Sequence, residues 1–217
     1  MKNTKRLVTS AMLISLGTAI SLVCEFIPFL NLPFGGTITL ASLLPIVLAS
    51  YLYGVPWGLG VGFVYSLLQM AVGFRTVSAL FLPDSDSYMG ATFAILILLL
   101  DYVLAFTLVG LGGLFRRKLS PTKALVLGSV IALTLCYLSH VLSGAIFYGA
   151  WAEWFFSADA LGLTAPKLCN FILSTFSGAG LATVYSFIYN GLYMLPEIII
   201  TAIAAATVAR LPFVKKG

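Results

Sequence analysis

The chain has 217 residues, of which 60% are hydrophobic and only 9% charged, where an ordinary soluble domain runs at roughly 45–50% and about 25%. That balance excludes a soluble globular protein and supplies about six apolar stretches of about 20 residues, each long enough to cross roughly 30 Å of hydrocarbon. A formal net charge of +5 would suggest nucleic acid in a soluble chain; in one this apolar it reports orientation in lipid, and no nucleic-acid partner is expected.

The first apolar run, Leu7 to about Pro28, follows the basic leader Lys2, Lys5, Arg6. It is too long for a signal peptide and lacks a small-x-small exit. A second run from about Ile38 to Tyr53 is interrupted by Pro45, which predicts a short, irregular helix. A third follows from Trp57 to about Val72. The fourth (about Met89 to Leu114), fifth (about Ala124 to Tyr148) and sixth (about Val184 to Leu211) are longer and clearer. The expected fold is an all-α integral membrane protein of six transmembrane helices, a single membrane domain over residues 1–217.

Ten of the twelve basic residues fall in the leader, in the 115–124 loop (Arg116, Arg117, Lys118, Lys123) and in the tail (Arg210, Lys215, Lys216). The positive-inside rule makes these cytoplasmic, with both termini inside, and turns the loops holding Asp84, Asp86, Glu153 and Asp159 outward. Cys24, Cys136 and Cys169 show no paired spacing, so neither a disulfide framework, a metal site nor a cofactor is expected. The 149–183 connection, about 35 residues with Trp151, Trp154, Phe155 and Phe156 near its start, reads either as an interfacial belt or short headgroup helix, or as a lid over an outward pocket. Pro33, Phe34, Gly35 and Gly36 predict a tight, mobile link between the first two spans. No internal repeat is visible, which argues against the usual architecture of secondary carriers.

A charge near the bilayer centre costs about 2.5–3.5 kcal/mol on insertion scales. Asp101, His140 and Glu197 lie inside the fourth, fifth and sixth spans, whereas Glu25 sits too near an outer end to count. Each of the three is either part of a functional site or a polar clamp between helices. Helical spacing puts Tyr137, His140, Gly144 and Tyr148 on one face of the fifth span, Gly144 removing bulk beside the imidazole. Ser186, Asn190, Tyr193 and Glu197 share a face of the sixth, flanked by Tyr185 and Tyr189. Tyr102 adjoins Asp101. One carboxylate, several aromatic faces, an amide and an imidazole suit a flat, cationic heteroaromatic solute. No G-x-x-x-x-G-K loop appears, so hydrolysis of ATP by that device is excluded. Ala11, Ser15 and Ala19 form a small-xxx-small stripe that admits a close helix, either from this chain or from a partner. Gly54, Gly58 and Gly62 form a similar stripe, expected to pack internally.

The strings PFGGTITLASLLPI (33–46), GLGVGFVYSLLQ (58–69), LLLDYVLAFTLVGLGGLF (98–115), SHVLSGAIFY (139–148) and YSFIYNGLYMLPEIIIT (185–201) lie in register through five spans. Together they resemble the thiamine-specific S-component family, the ThiT/YuaJ group, of energy-coupling factor (ECF) transporters. The resemblance implies a non-enzymatic six-helix binding subunit in a prokaryotic plasma membrane. Such a subunit captures thiamine at the outer face and works with a membrane coupling protein and two ATPase subunits. It implies substrate contacts at Asp101, Tyr102, His140, Gly144, Tyr148, Trp151, Tyr185 and Asn190, and a coupling-protein surface at Ala11, Ser15 and Ala19. The acid is expected to meet either the aminopyrimidine or the thiazolium ring. The sequence departs from the family at Cys136, where a basic residue is common, at Tyr148, where Trp or Phe is common, and in the long 149–183 segment. These departures bring thiamine relatives such as its pyrimidine precursor into play.

Two rivals stand beside this reading. A self-sufficient proton-coupled carrier would use Asp101, His140 or Glu197 as its proton site. An intramembrane protease would use Ser143 near His140, but no G-x-S-x-G turn accompanies them.

Overall fold

The computed structural model describes residues 2–32 and 36–215. Pro33, Phe34 and Gly35 of the expected link, and Lys216 of the tail, lie outside the described residues. The six spans are α1 (Lys2–Glu25), α2 (Leu44–Tyr53), α3 (Val55–Val72), α4 (Gly90–Gly113), α5 (Pro121–Phe147) and α6 (Gly178–Val208). Five are long and apolar enough to cross a bilayer, and α2 is a shorter apolar helix.

The ends differ from expectation for local reasons. α1 stops at Glu25 because Pro28 forces Ile27 into an extended conformation (φ −99°, ψ 103°). α2 begins at Leu44, not Ile38, with Pro45 in its first turn, where a missing N–H costs nothing. Residues 36–43 therefore descend without helical hydrogen bonding, and Ala41 takes a left-handed φ of 62°. Irregular backbone at such depth is tolerated where it lines a cavity. α4 is not uniform: residues Leu98–Leu104 wind as a π-helix, with the Ala105 N–H donating to Leu100 O five residues back.

The expected internal role of the glycine stripe is borne out. A Cβ at Gly58 would meet Gly110 O at 2.6 Å and one at Gly62 would meet Phe106 O at 2.5 Å, so α3 lies directly on the backbone of α4. At one end of the bundle Arg6 of α1 sits over the Tyr53 ring at 5.8 Å, and Arg116 Nη2 donates to Leu52 O at 3.0 Å. The basic leader, the α2–α3 turn and the basic loop after α4 thus share one face, the cytoplasmic one by charge.

On the opposite face the connection after α5 is shorter and more ordered than expected, because α6 starts at Gly178 instead of Val184. It winds as the short helices Gly149–Trp151, Ala152–Phe156, Ala158–Gly162 and Pro166–Thr175. Ala152, Phe155, Phe156, Cys169 and Ile172 bury against Leu181, Tyr185 and Tyr189. The segment is a packed cap on the outer half of α6. A further short helix, Phe74–Ala79, links α3 to α4.

Candidate functional site

The six spans enclose a cavity of about 500 Å³, within the range of small-molecule sites. Five of them contribute, α2 not among them, together with residues that precede α2: Glu25 from α1, Thr39 and Ser42 before α2, Tyr65 and Gln69 from α3, Asp101 and Tyr102 from α4, His140, Gly144 and Tyr148 from α5 and its end, and Tyr185, Asn190, Tyr193 and Glu197 from α6.

Asp101 sits in the middle of the π-helical segment. An extra residue per turn re-aims a side chain, and such segments recur at functional sites. The Leu100 carbonyl beside it accepts from Ser139 Oγ at 2.8 Å, an interhelical bond that helps satisfy the loosened turn. The carboxylate receives His140 Nδ1 on Oδ1 at 3.0 Å and Ser143 Oγ on Oδ2 at 2.8 Å. Because a carboxylate only accepts, Nδ1 carries the proton. The other ring nitrogen lies 3.6 Å from Cys136 Sγ. Both nitrogens of His140 are thus engaged by protein, and the ring packs edge-to-face with Phe106 and Tyr193. Each Asp101 oxygen retains a lone pair directed by these two donors.

Asn190 is oriented in the same way. Its Nδ2 donates to Ser186 O at 2.9 Å and Ser186 Oγ at 3.1 Å, and its Oδ1 accepts from Tyr193 OH at 2.7 Å. Gly144 makes this approach of α5 and α6 feasible: a Cβ there would collide with Ser186 Oγ and lie 3.1 Å from Asn190 Nδ2. The space that glycine leaves is therefore taken by α6, and it is not a notch beside the imidazole as spacing suggested.

Of the eight residues expected to contact substrate, Asp101, Tyr102, His140, Gly144, Tyr148, Tyr185 and Asn190 line the cavity, and Trp151 does not. Trp151 stacks behind Tyr148, ring centroids 5.5 Å apart and planes 30° from parallel. Ala11, Ser15 and Ala19 are all exposed on the outside of α1.

Glu25, Thr39 and Gln69 line the cavity and escaped sequence reasoning, whereas Glu197 was among its candidates. Glu25, set aside for its place at a helix end, faces the cavity. Glu197 is 2% exposed and accepts from Thr39 Oγ1 at 2.7 Å and Thr201 Oγ1 at 3.3 Å, with the backbone of Ala41 and Leu43 against it. It is a clamp between the irregular 36–43 segment and α6, and it also forms part of the cavity wall. Gln69 hydrogen-bonds Tyr65 on α3 and accepts from Ser21 Oγ at 3.4 Å; a glutamine inside an apolar span was the one available signal. Among the lining residues stand three carboxylates, one imidazole, and neither Lys nor Arg. A cavity with that balance favours a positively charged solute.

Apolar spans enclosing a ligand-sized, acidic and aromatic cavity on the outward half define a multi-pass membrane protein of the solute-transport class. Residues 11–159 match the family model described as thiamine transporter protein (Thia_YuaJ), and the chain belongs to that family, one of transport proteins and not enzymes, found in the bacterial plasma membrane. The chain is 30% identical over 202 residues to the thiamine transporter ThiT of Bacillus subtilis (strain 168), covering 88% of this chain and 84% of that one. The solved structure of ThiT from Listeria monocytogenes shares the fold at a TM-score of 0.66, with 16% identity over 97% of this chain and 96% of the other.

Proposed function

We propose that residues 1–217 form a single binding domain that captures thiamine from outside the cell and acts as the S-component of an ECF importer. The observation that carries the reading is the cavity: a half-buried carboxylate oriented by His140 and Ser143, facing tyrosines and an oriented amide, with neither Lys nor Arg in its lining. Thiamine joins an aminopyrimidine, which offers an N–H₂ donor and ring-nitrogen acceptors, to a cationic thiazolium ring. Asp101 accepts from the first or balances the second, Asn190 reads polar atoms, and Tyr102, Tyr148 and Tyr185 supply ring faces for stacking and for the cation. Trp151 supports Tyr148 from behind. Ala11, Ser15 and Ala19 form the surface for the coupling protein, which links the subunit to two ATPases.

The test is direct. Purified protein should bind thiamine saturably by calorimetry and carry it through purification, as read by mass spectrometry. Tighter binding of the pyrimidine precursor than of thiamine would reassign the ligand. Uptake in cells should require the coupling protein and ATPases; uptake by this chain alone, abolished by an uncoupler, would show the proton-coupled carrier instead.

A further inference from the structure

Three carboxylates face the cavity, and they differ in what already holds them. Asp101 accepts one hydrogen bond on each oxygen. Glu197 does the same and is sealed behind Thr39 and Thr201. Glu25, at the last turn of α1, is engaged by no hydrogen bond or ion pair among the described residues and is exposed at the outer rim. Its backbone, by contrast, is held. Asn31 Nδ2 donates to Glu25 O at 2.8 Å and to Ile27 O at 3.1 Å, and Asn31 Oδ1 accepts from Thr37 Oγ1 at 2.7 Å. With the Asn31–Thr37 bridge, these bonds hold Asn31 and Thr37 beside the end of α1, so Glu25, Asn31 and Thr37 edge the same opening. Tyr102 lines the same cavity as both the Asp101 and the Glu25 carboxylates.

We infer that Glu25 is a specificity-determining residue: it supplies the counter-charge for the cationic ring of the ligand at the outer rim, leaving Asp101 to accept from the neutral amine-bearing ring further in. This rests on the proposed function and deepens it, since it orients the ligand in the cavity. A permanent cation entering from water keeps an opposite charge beside it throughout, and an unengaged carboxylate at the rim acts before the cavity closes off water.

The experiment compares two ligands on the full-length protein. Thiamine carries the positive thiazolium; its thiophene isostere has the same shape without the charge. Glu25→Gln should weaken thiamine about tenfold, between the bulk-water and protein-surface limits for one charge pair, and leave the neutral isostere unchanged. Glu25→Asp should restore most of the loss, and the effect should shrink as salt is raised. Equal loss for both ligands would make Glu25 a packing residue and overturn the inference, as would no loss for thiamine. Failure of the unaltered protein to bind thiamine at all would overturn the proposed function instead, so the two failures are distinguishable.

Discussion

Asp101 shows how a charge is kept inside a membrane span: an imidazole N–H and a serine hydroxyl, both from α5, bond its two oxygens. Asp101→Asn keeps the shape and removes the charge and one acceptor, so thiamine affinity should fall by about 1.5–3 kcal/mol, or roughly 10- to 150-fold, in a calorimetric titration. Gly144→Ala sets a methyl group against Ser186 Oγ. Overpacking of this kind costs about 1–3 kcal/mol and should lower the melting temperature in detergent as well as the affinity, because Asn190 shifts with Ser186. Asp101, His140 and Asn190 were legible in the sequence because polar groups in lipid are costly and seldom idle. Glu25 and Thr39 were not, since a carboxylate at a helix end and a threonine before a helix are unremarkable until the chain folds back beside them.

Elements carry the next layer. The 36–43 segment replaces the first turns expected of α2, and Glu197 holds it to α6 through Thr39. Deleting that carboxylate removes the acceptor that Thr39, Thr201 and the backbone of Ala41 and Leu43 share, so Glu197→Ala should cost about 1–3 kcal/mol of stability. It should also speed hydrogen exchange of the 36–43 amides, while Glu197→Gln, which still accepts, should change both less. Pro45 announced that the second span would be short and irregular; where the irregular part would go was hidden, because the partner lies 158 positions away in the chain. The π-helical turn at Asp101 was equally invisible, since an extra residue in a turn leaves the apolar pattern of α4 intact. The aromatic start of the 149–183 segment was legible as apolar, but its burial on Tyr185 and Tyr189 depends on contacts across the cap.

For the whole molecule the question is how binding on one side couples to assembly on another. Ala11, Ser15 and Ala19 are exposed and none of them lines the cavity, so the proposed docking stripe and the ligand site are separate surfaces. Ala11→Trp with Ala19→Trp should therefore leave thiamine affinity within about twofold, as expected of distant sites that do not share partners. The same pair should abolish uptake and co-purification with the coupling protein, because bulky rings keep a partner helix at a distance. By itself the sequence determined the solvent, the number of crossings, their direction and the three ionisable anchors within the spans, because the cost of moving charge and open backbone into hydrocarbon is paid locally and leaves a mark at each position. Only the tertiary structure decided which faces turn inward together, that α1 and α3 also wall the cavity, and that Trp151 stands behind Tyr148. These depend on helix rotation and close approach, which are set by pairs of residues far apart in the chain and by glycines whose value appears only when another backbone is against them.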